Sequence, residues 1–248
     1  MTVDNSFQTT FAVPLSCNDC IKAVSDSLYQ LGGISKVQGD LQNQIVSVEG
    51  VAAPSAIVQA IQATGRDAIL RGSGATDSAA VSILETFSDR GIEESDDADR
   101  SVRGLARFVQ VNPGRTLVDL TLRGVAPGRY QATIREFGDL KDGAMSTGPV
   151  WSGGSSMPLG ILGSLDVDED GRGGAFVDHP FKIWEVIGHA MILTKQDEVA
   201  GPLTNDENTV VGVIARSAGV WDNDKTVCSC TGKTLWEERK DEVRKGML

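Results

Sequence analysis

Phe11-Ala12-Val13-Pro14-Leu15-Ser16-Cys17-Asn18-Asp19-Cys20-Ile21 carries the chain out of one kind of local structure into another, with two thiols at the junction. Upstream, residues 7–15 alternate, with Phe7, Thr9, Phe11 and Val13 on one side, which predicts a strand. Downstream, Ile21, Val24, Leu28 and Leu31 recur at helical spacing until Gly32-Gly33 stops the helix. Two short strands are expected over 34–41 and 45–48, joined by a polar turn at Gln42-Asn43. A second helix has Pro54 in its first turn, Ile57, Val58 and Ile61 as its apolar face, and Gly65 as its stop. Ala68-Ile69-Leu70 closes the set as a last strand.

The order is βαββαβ over residues 1–71, the split-βαβ or ferredoxin-like pattern. Residues 72–78, rich in Gly, Ser and Thr, read as a short flexible linker. From 79 to 218 short β-like runs recur, at 79–87, 102–110, 117–122, 128–134, 184–194 and 209–215. The stretch 90–100 is acidic and poor in apolar residues, so a solvated loop is expected. Residues 139–179, full of Gly, Ser and Asp, read as long loops with little regular structure. Strand spacing and turn content predict an all-β sandwich or barrel with long inserted loops, hence an α+β multi-domain chain. Residues 219–248, with Trp221, Cys228, Cys230 and a charged 236–244 segment, read as a flexible tail ending in a short helix.

Lys and Arg number 23 against 34 Asp and Glu, a net charge of −11 over 248 residues. This balance argues against nucleic-acid or anionic-membrane surfaces and for solubility or a basic partner. No apolar run reaches the roughly 18 residues that span a bilayer. The N-terminus lacks the basic region of a signal peptide, so the expected compartment is the cytosol. Four cysteines there serve more readily as metal ligands or redox centres than as structural staples.

The cysteines fall in two close pairs at the two ends of the chain. Cys17 and Cys20 stand where a strand becomes a helix, and the free N–H groups and dipole there favour thiolate. With no third Cys or His nearby, two sulfurs suit Cu(I), which accepts soft, low-coordinate ligation; tetrahedral zinc would need two more ligands. Cys228 and Cys230, one residue apart, face the same way in an extended backbone. They can grip a soft metal ion or close a tight, reducible disulfide. Other readings stand beside these: a thioredoxin-like redox pair at Cys17/Cys20, inert core cysteines, all four thiols in one zinc site, or incidental cysteines in a tail.

The N-terminal unit resembles the heavy-metal-associated domain of copper chaperones, whose motif is Met-x-Cys-x-x-Cys. Here Leu15 takes the place of Met, a swap of similar size. The middle resembles copper-zinc superoxide dismutase, with Arg135-Glu136-Phe137-Gly138-Asp139, Ser146-Thr147-Gly148-Pro149 and Gly212-Val213-Ile214-Ala215 in that family's order. The resemblance implies a Greek-key β-barrel that dimerises through one face. It also implies metal-binding histidines, but those positions hold Thr133, Arg135, Val150 and Thr194, and the expected disulfide positions hold Ala144 and Val211. Dismutase activity, and zinc at the barrel site, are not expected.

The stretch from Gly212 through Trp221, followed by Cys228-Ser229-Cys230-Thr231-Gly232-Lys233-Thr234-Leu235-Trp236-Glu237-Glu238-Arg239, is similar to the copper chaperones for superoxide dismutase. The missing barrel histidines suggest their fungal branch. The resemblance covers essentially the whole chain and implies a metallochaperone rather than an enzyme. It would deliver Cu(I) to immature copper-zinc superoxide dismutase and promote oxidation of that protein's disulfide. Cys17, Cys20, Cys228 and Cys230 would be its copper ligands, and Cys228 and Cys230 would perform delivery and disulfide transfer. Partnership would be a heterodimer through the barrel face, and a homodimer when free; Arg216 and Trp184 are candidates for that face. The family also allows a pool in the mitochondrial intermembrane space. His179 and His189 are expected in structural or surface roles. The competing class is a metal-independent thiol–disulfide oxidoreductase on a barrel scaffold.

Overall fold

The computed structural model of the chain describes residues 6–87, 102–155, 158–197 and 202–217, together with Gly219, Thr234, Trp236, Glu237, Lys240 and Asp241. Cys228, Cys230, Trp221 and the acidic 90–100 stretch lie outside the described residues.

The first unit has the order read from the sequence. It runs β1 (Phe7–Ala12), α1 (Asn18–Leu31), β2 (Ile34–Asp40), β3 (Ile45–Gly50), α2 (Pro54–Ala63) and β4 (Ile69–Ser73). The strands form one antiparallel sheet ordered β2-β3-β1-β4. Helical periodicity turns Cys20, Val24 and Leu28 of α1, and Ile57 and Ile61 of α2, onto Phe11, Val46 and Val48 of the sheet. Leu31, expected on the apolar face, is instead 40% exposed, because the helix ends there and Gly32 turns the chain away at φ 81°. β4 carries on to Ser73, so Gly72 and Ser73 are buried strand and not linker. Beyond Ser73 the chain makes a tight turn, closed by Ser78 donating to the Ala75 carbonyl from both its N–H and its Oγ.

The second unit comprises β5 (Ala79–Thr86), β6 (Val102–Asn112), β7 (Arg115–Arg123), β8 (Gly128–Ile134), β9 (Ile161–Val167), β10 (Arg172–His179), β11 (Ala190–Thr194), β12 (Thr209–Val213) and the short β13 (Ala215–Arg216). Neighbours run β12-β11-β8-β9-β10-β7-β6-β5, and β12 pairs back onto β5, closing an eight-stranded antiparallel barrel. Two connections, β7 to β8 and β10 to β11, leap over neighbouring strands, which makes the topology a Greek key. Its interior is filled by Phe108, Leu120, Leu122, Tyr130, Ile134, Met191 and their neighbours. The glycines of the dismutase-like motifs have a steric reason. A Cβ on Gly212 would overlap the Ile83 carbonyl at the β12–β5 seam, and one on Gly138 would overlap the Gly188 carbonyl.

Two further expectations need correction. Residues 139–179 contain two strands, β9 and β10, besides a one-turn helix at Gly143–Thr147. β9 buries Leu162, Leu165 and Val167, but the register shift opposite Ala132 and Thr133 breaks the alternation between Leu162 and Leu165, and Gly163 and Ser164 thin the apolar signal. β10 begins Arg-Gly-Gly-Ala, too small to register as strand; a Cβ on Gly173 would strike the Asp166 carbonyl and the Leu165 side chain. The run 184–194 is not one strand either. Ile183–Val186 forms a helical turn, α3, with the Glu185 carboxylate accepting from the Lys182 N–H, and only Ala190–Thr194 is extended. No helix among the described residues is long and apolar enough to cross a membrane.

Candidate metal centre

β1 delivers the chain to the thiols, and two devices then fix the loop that carries them. Gln44, at the β2–β3 turn with φ 57°, clamps the loop from the side. Its amide oxygen accepts from the Leu15 N–H at 2.6 Å, its amide nitrogen donates to the Leu15 carbonyl at 2.5 Å, and its own carbonyl accepts from Val13 N–H. Leu15 itself is buried at 4% exposure in the helix–sheet core, so the residue in the place of Met acts by packing.

α1 begins directly at the cysteines. Cys17 occupies the N-cap position in extended conformation, and its carbonyl accepts from the N–H of Cys20. Cys20 then lies in the first helical turn, buried, while Cys17 is exposed. Their sulfurs are 3.6 Å apart and both thiols are free. Taking about 2.3 Å for a metal–thiolate bond, one ion could sit on both sulfurs at an angle of roughly 100°. A near-linear pair of bonds would need them about 1 Å further apart, and the exposed Cys17 is the one placed to move.

The electrostatics favour a thiolate at Cys20. The Ser16 hydroxyl, 3.2 Å from Cys20 Sγ, is the main cause, followed by the Arg66 guanidinium, the Ser16 N–H and the Cys17 thiol; burial opposes them. Together they lower the Cys20 thiol from 9.0 to about 6. Because the folded value is depressed, the stabilisation from the ionised thiol is complete above the unfolded value. It is lost as pH falls through about 6. Thiolate absorbance of the metal-free protein should therefore titrate near that value, and Ser16→Ala should raise the midpoint more than Arg66→Ala does. Identical midpoints in all three proteins would remove both residues from the site.

Ser16, Gln44 and Arg66 are not among the residues that the sequence singles out. Ser16 adjoins the motif, and Arg66 comes directly after the glycine that ends α2, a position the βαββαβ order returns to the same end of the sheet as Cys17. Gln44 could not be chosen by any spacing rule.

In the barrel, Thr133 and Thr194 are buried, and Thr194 Oγ1 lies 2.8 Å from Thr209 Oγ1. Arg135, 5% exposed, donates from Nε to the Gly148 carbonyl at 3.0 Å and pairs its backbone with Val150. His189 Nδ1 lies 2.8 Å from the Arg135 carbonyl, and His179 Nε2 lies 3.1 Å from the Leu162 carbonyl. Among the described residues no three His, Cys, Asp or Glu side chains gather as a ligand set. Trp184 is 60% exposed with Lys182 Nζ 5.4 Å over its ring, while Arg216 pairs with Asp77 at 2.9 Å.

At the far end, the Thr234 N–H and Oγ1 both donate to the Glu237 carboxylate, and the Glu237 N–H donates back to Thr234 Oγ1, a capping box. Trp236, Glu237, Lys240 and Asp241 are helical, within the segment expected to end in a short helix.

Residues 10–67 match the heavy-metal-associated domain family. The whole chain is similar to the superoxide dismutase 1 copper chaperone of Saccharomyces cerevisiae, at 41% identity over 98% of both chains. The protein of the same name from Candida glabrata is 43% identical over 98% of both chains. The copper chaperone for superoxide dismutase of Homo sapiens is 35% identical over 92% of this chain and 88% of its own. The chain belongs to the family of copper chaperones for superoxide dismutase.

Proposed function

We propose that this chain carries Cu(I) to a copper-free copper-zinc superoxide dismutase and oxidises the two partner thiols that form its intrasubunit disulfide. The observation that carries the first part is the pair of free sulfurs, 3.6 Å apart, one exposed and one held towards thiolate at the mouth of a heavy-metal-associated domain. Cu(I) is cargo here, passed by ligand exchange in which each departing sulfur is replaced before the next leaves. Zinc is not expected in the barrel, where threonine, arginine and valine stand at the positions of the resembled family's ligands.

The closed Greek-key barrel supplies the docking module. An isologous dimer face can accept a partner subunit of the same architecture, so a chain that forms a homodimer when alone can exchange into a heterodimer. Docking tethers the thiols near the partner and raises their effective concentration to roughly millimolar. Cys228 and Cys230 then work as a disulfide. One partner thiolate attacks it and forms a mixed disulfide; the partner's second thiolate displaces the chaperone sulfur, leaving the partner oxidised and Cys228/Cys230 reduced. Dioxygen is the oxidant that restores the pair. The cytoplasm is the proposed place of action.

Trp184 and Arg216 are the proposed partner contacts, and an exposed Trp is a typical anchor of such faces. Sedimentation of the reduced, zinc-loaded, copper-free dismutase with this chain should reveal a one-to-one complex. Trp184→Ala should weaken it about tenfold, the size of effect expected of an interface anchor. Unchanged affinity in both Trp184→Ala and Arg216→Ala would place the docking face elsewhere.

A further inference from the structure

α2 begins without a cap of its own. Its N-cap residue is Ala53, which has no side chain to accept from the first-turn N–H groups. The missing acceptor comes from the other unit. Asp119, on β7 of the barrel and only 2% exposed, accepts from the Ser55 N–H at 2.9 Å and from the Ser55 hydroxyl at 2.6 Å. Arg107 on β6 holds the same carboxylate from behind, its Nη1 3.3 Å from Oδ2. The buried charge is thus matched by a guanidinium, two further donors and the positive end of α2.

A second contact supports the first. Phe7 of β1 packs with Val109 and Leu117 of the barrel in a small apolar cluster separate from both main cores. Beside it the interface is not filled. A cavity of about 390 Å3 remains, lined by Val58, Leu70 and Arg71 from one unit and Leu105, Arg107 and Arg123 from the other. Among the described residues the junction holds a polar latch and an apolar spot beside a hollow, an arrangement suited to coming apart without unfolding either core.

The strand registers locate the latch. Phe7 pairs with Gly50, the end of β3 that leads into α2, whereas Ala12, at the other end of β1, leads on to the cysteine loop. Ser55 and Phe7 therefore mark one end of the unit, and Cys17 and Cys20 mark the other, a strand length or roughly 17 Å away.

We propose that Asp119 is a built-in docking residue, capping α2 across the domain boundary so that the metal-binding unit is held by its base, with its thiols at the free tip. The barrel face formed by β6 and β7 is then an intramolecular receptor for that unit. While latched, the thiols stay open to a copper donor and move with the barrel as one body. Releasing Ser55 from Asp119 would free the metal-binding unit to swing on the turn after Ser73.

Ser55→Asp tests this without harming either unit. A carboxylate in the first turn favours the isolated helix, but placed against Asp119 it repels the latch. Nitrogen-15 relaxation on the full chain should give one rotational correlation time for both units in the unsubstituted protein. In Ser55→Asp that common value should be lost, the 7–73 amides reporting a faster-tumbling body while their chemical shifts stay folded. Ser55→Ala, which removes only the hydroxyl bond, should give a partial release in the same direction. A metal-binding unit that already tumbles on its own before substitution, or a shared correlation time that survives Ser55→Asp, would overturn the proposal.

Discussion

Replacing Cys228 and Cys230 together by serine is expected to abolish formation of the partner's disulfide, while leaving the chain folded and able to dock. The reason is electron balance. Oxidising two thiols in the partner requires a two-electron acceptor within reach, and the acceptor proposed here is the Cys228–Cys230 disulfide. Serine is nearly the same size but cannot form the mixed disulfide, so a partial activity is not anticipated. The measurement is thiol trapping of the zinc-loaded, copper-free dismutase in air, with its two cysteines counted by mass. A partner that becomes fully oxidised by the double variant would remove the pair from this role.

The second large effect belongs to the other pair. Cys17→Ser with Cys20→Ser removes both sulfurs of the centre and with them the Cu(I) proposed for the N-terminal unit. The loss should depend on supply. With copper below one equivalent, activation of the partner should fall about tenfold or more, since a captured ion is presented at high effective concentration and a free one is not. With copper in excess, the proposed delivery pair, Cys228 and Cys230, is expected to take the ion directly, and most of the activity should return. The comparison to make is dismutase activation across a copper titration, for this variant and the unsubstituted chain. An equal deficit at every copper level would mean that Cys17 and Cys20 do something other than acquire copper.

Much of the fold is legible in the sequence because local signals agree with it. The strand ending near Val13, the cysteines at the helix start, the glycines after Leu31 and the proline at Pro54 each name a boundary, and together they specify one antiparallel sheet under two helices. The dismutase-like glycines are legible for a related reason: Gly138 and Gly212 are places where a carbonyl lies too close for any Cβ.

The features that stay hidden do so for physical reasons. β10 is written in Gly, Gly and Ala because its neighbours approach closely, and such residues carry no hydrophobic period to detect. The segment around Trp184 resembles strand because a single helical turn is too short to develop a helical repeat. The residues that steady the centre and those that latch the two units are hidden by distance. Gln44 lies 29 residues from Leu15, and Ser55 lies 64 from Asp119, so neither contact leaves a mark on local pattern. An Ala at the N-cap of α2 reads as a poor helix start, and only the folded chain reveals the carboxylate that completes it.

Passage of copper from this protein to its partner without release is tested most directly by one transfer experiment. The Cu(I)-loaded chain is mixed with reduced, zinc-loaded, copper-free superoxide dismutase in the presence of a strong Cu(I) chelator and air, and dismutase activity is monitored beside partner thiol oxidation. Protected transfer predicts that activity appears in spite of the chelator and that the disulfide forms alongside it. Disulfide formation with no gain of copper would contradict it and identify a metal-independent thiol oxidoreductase instead.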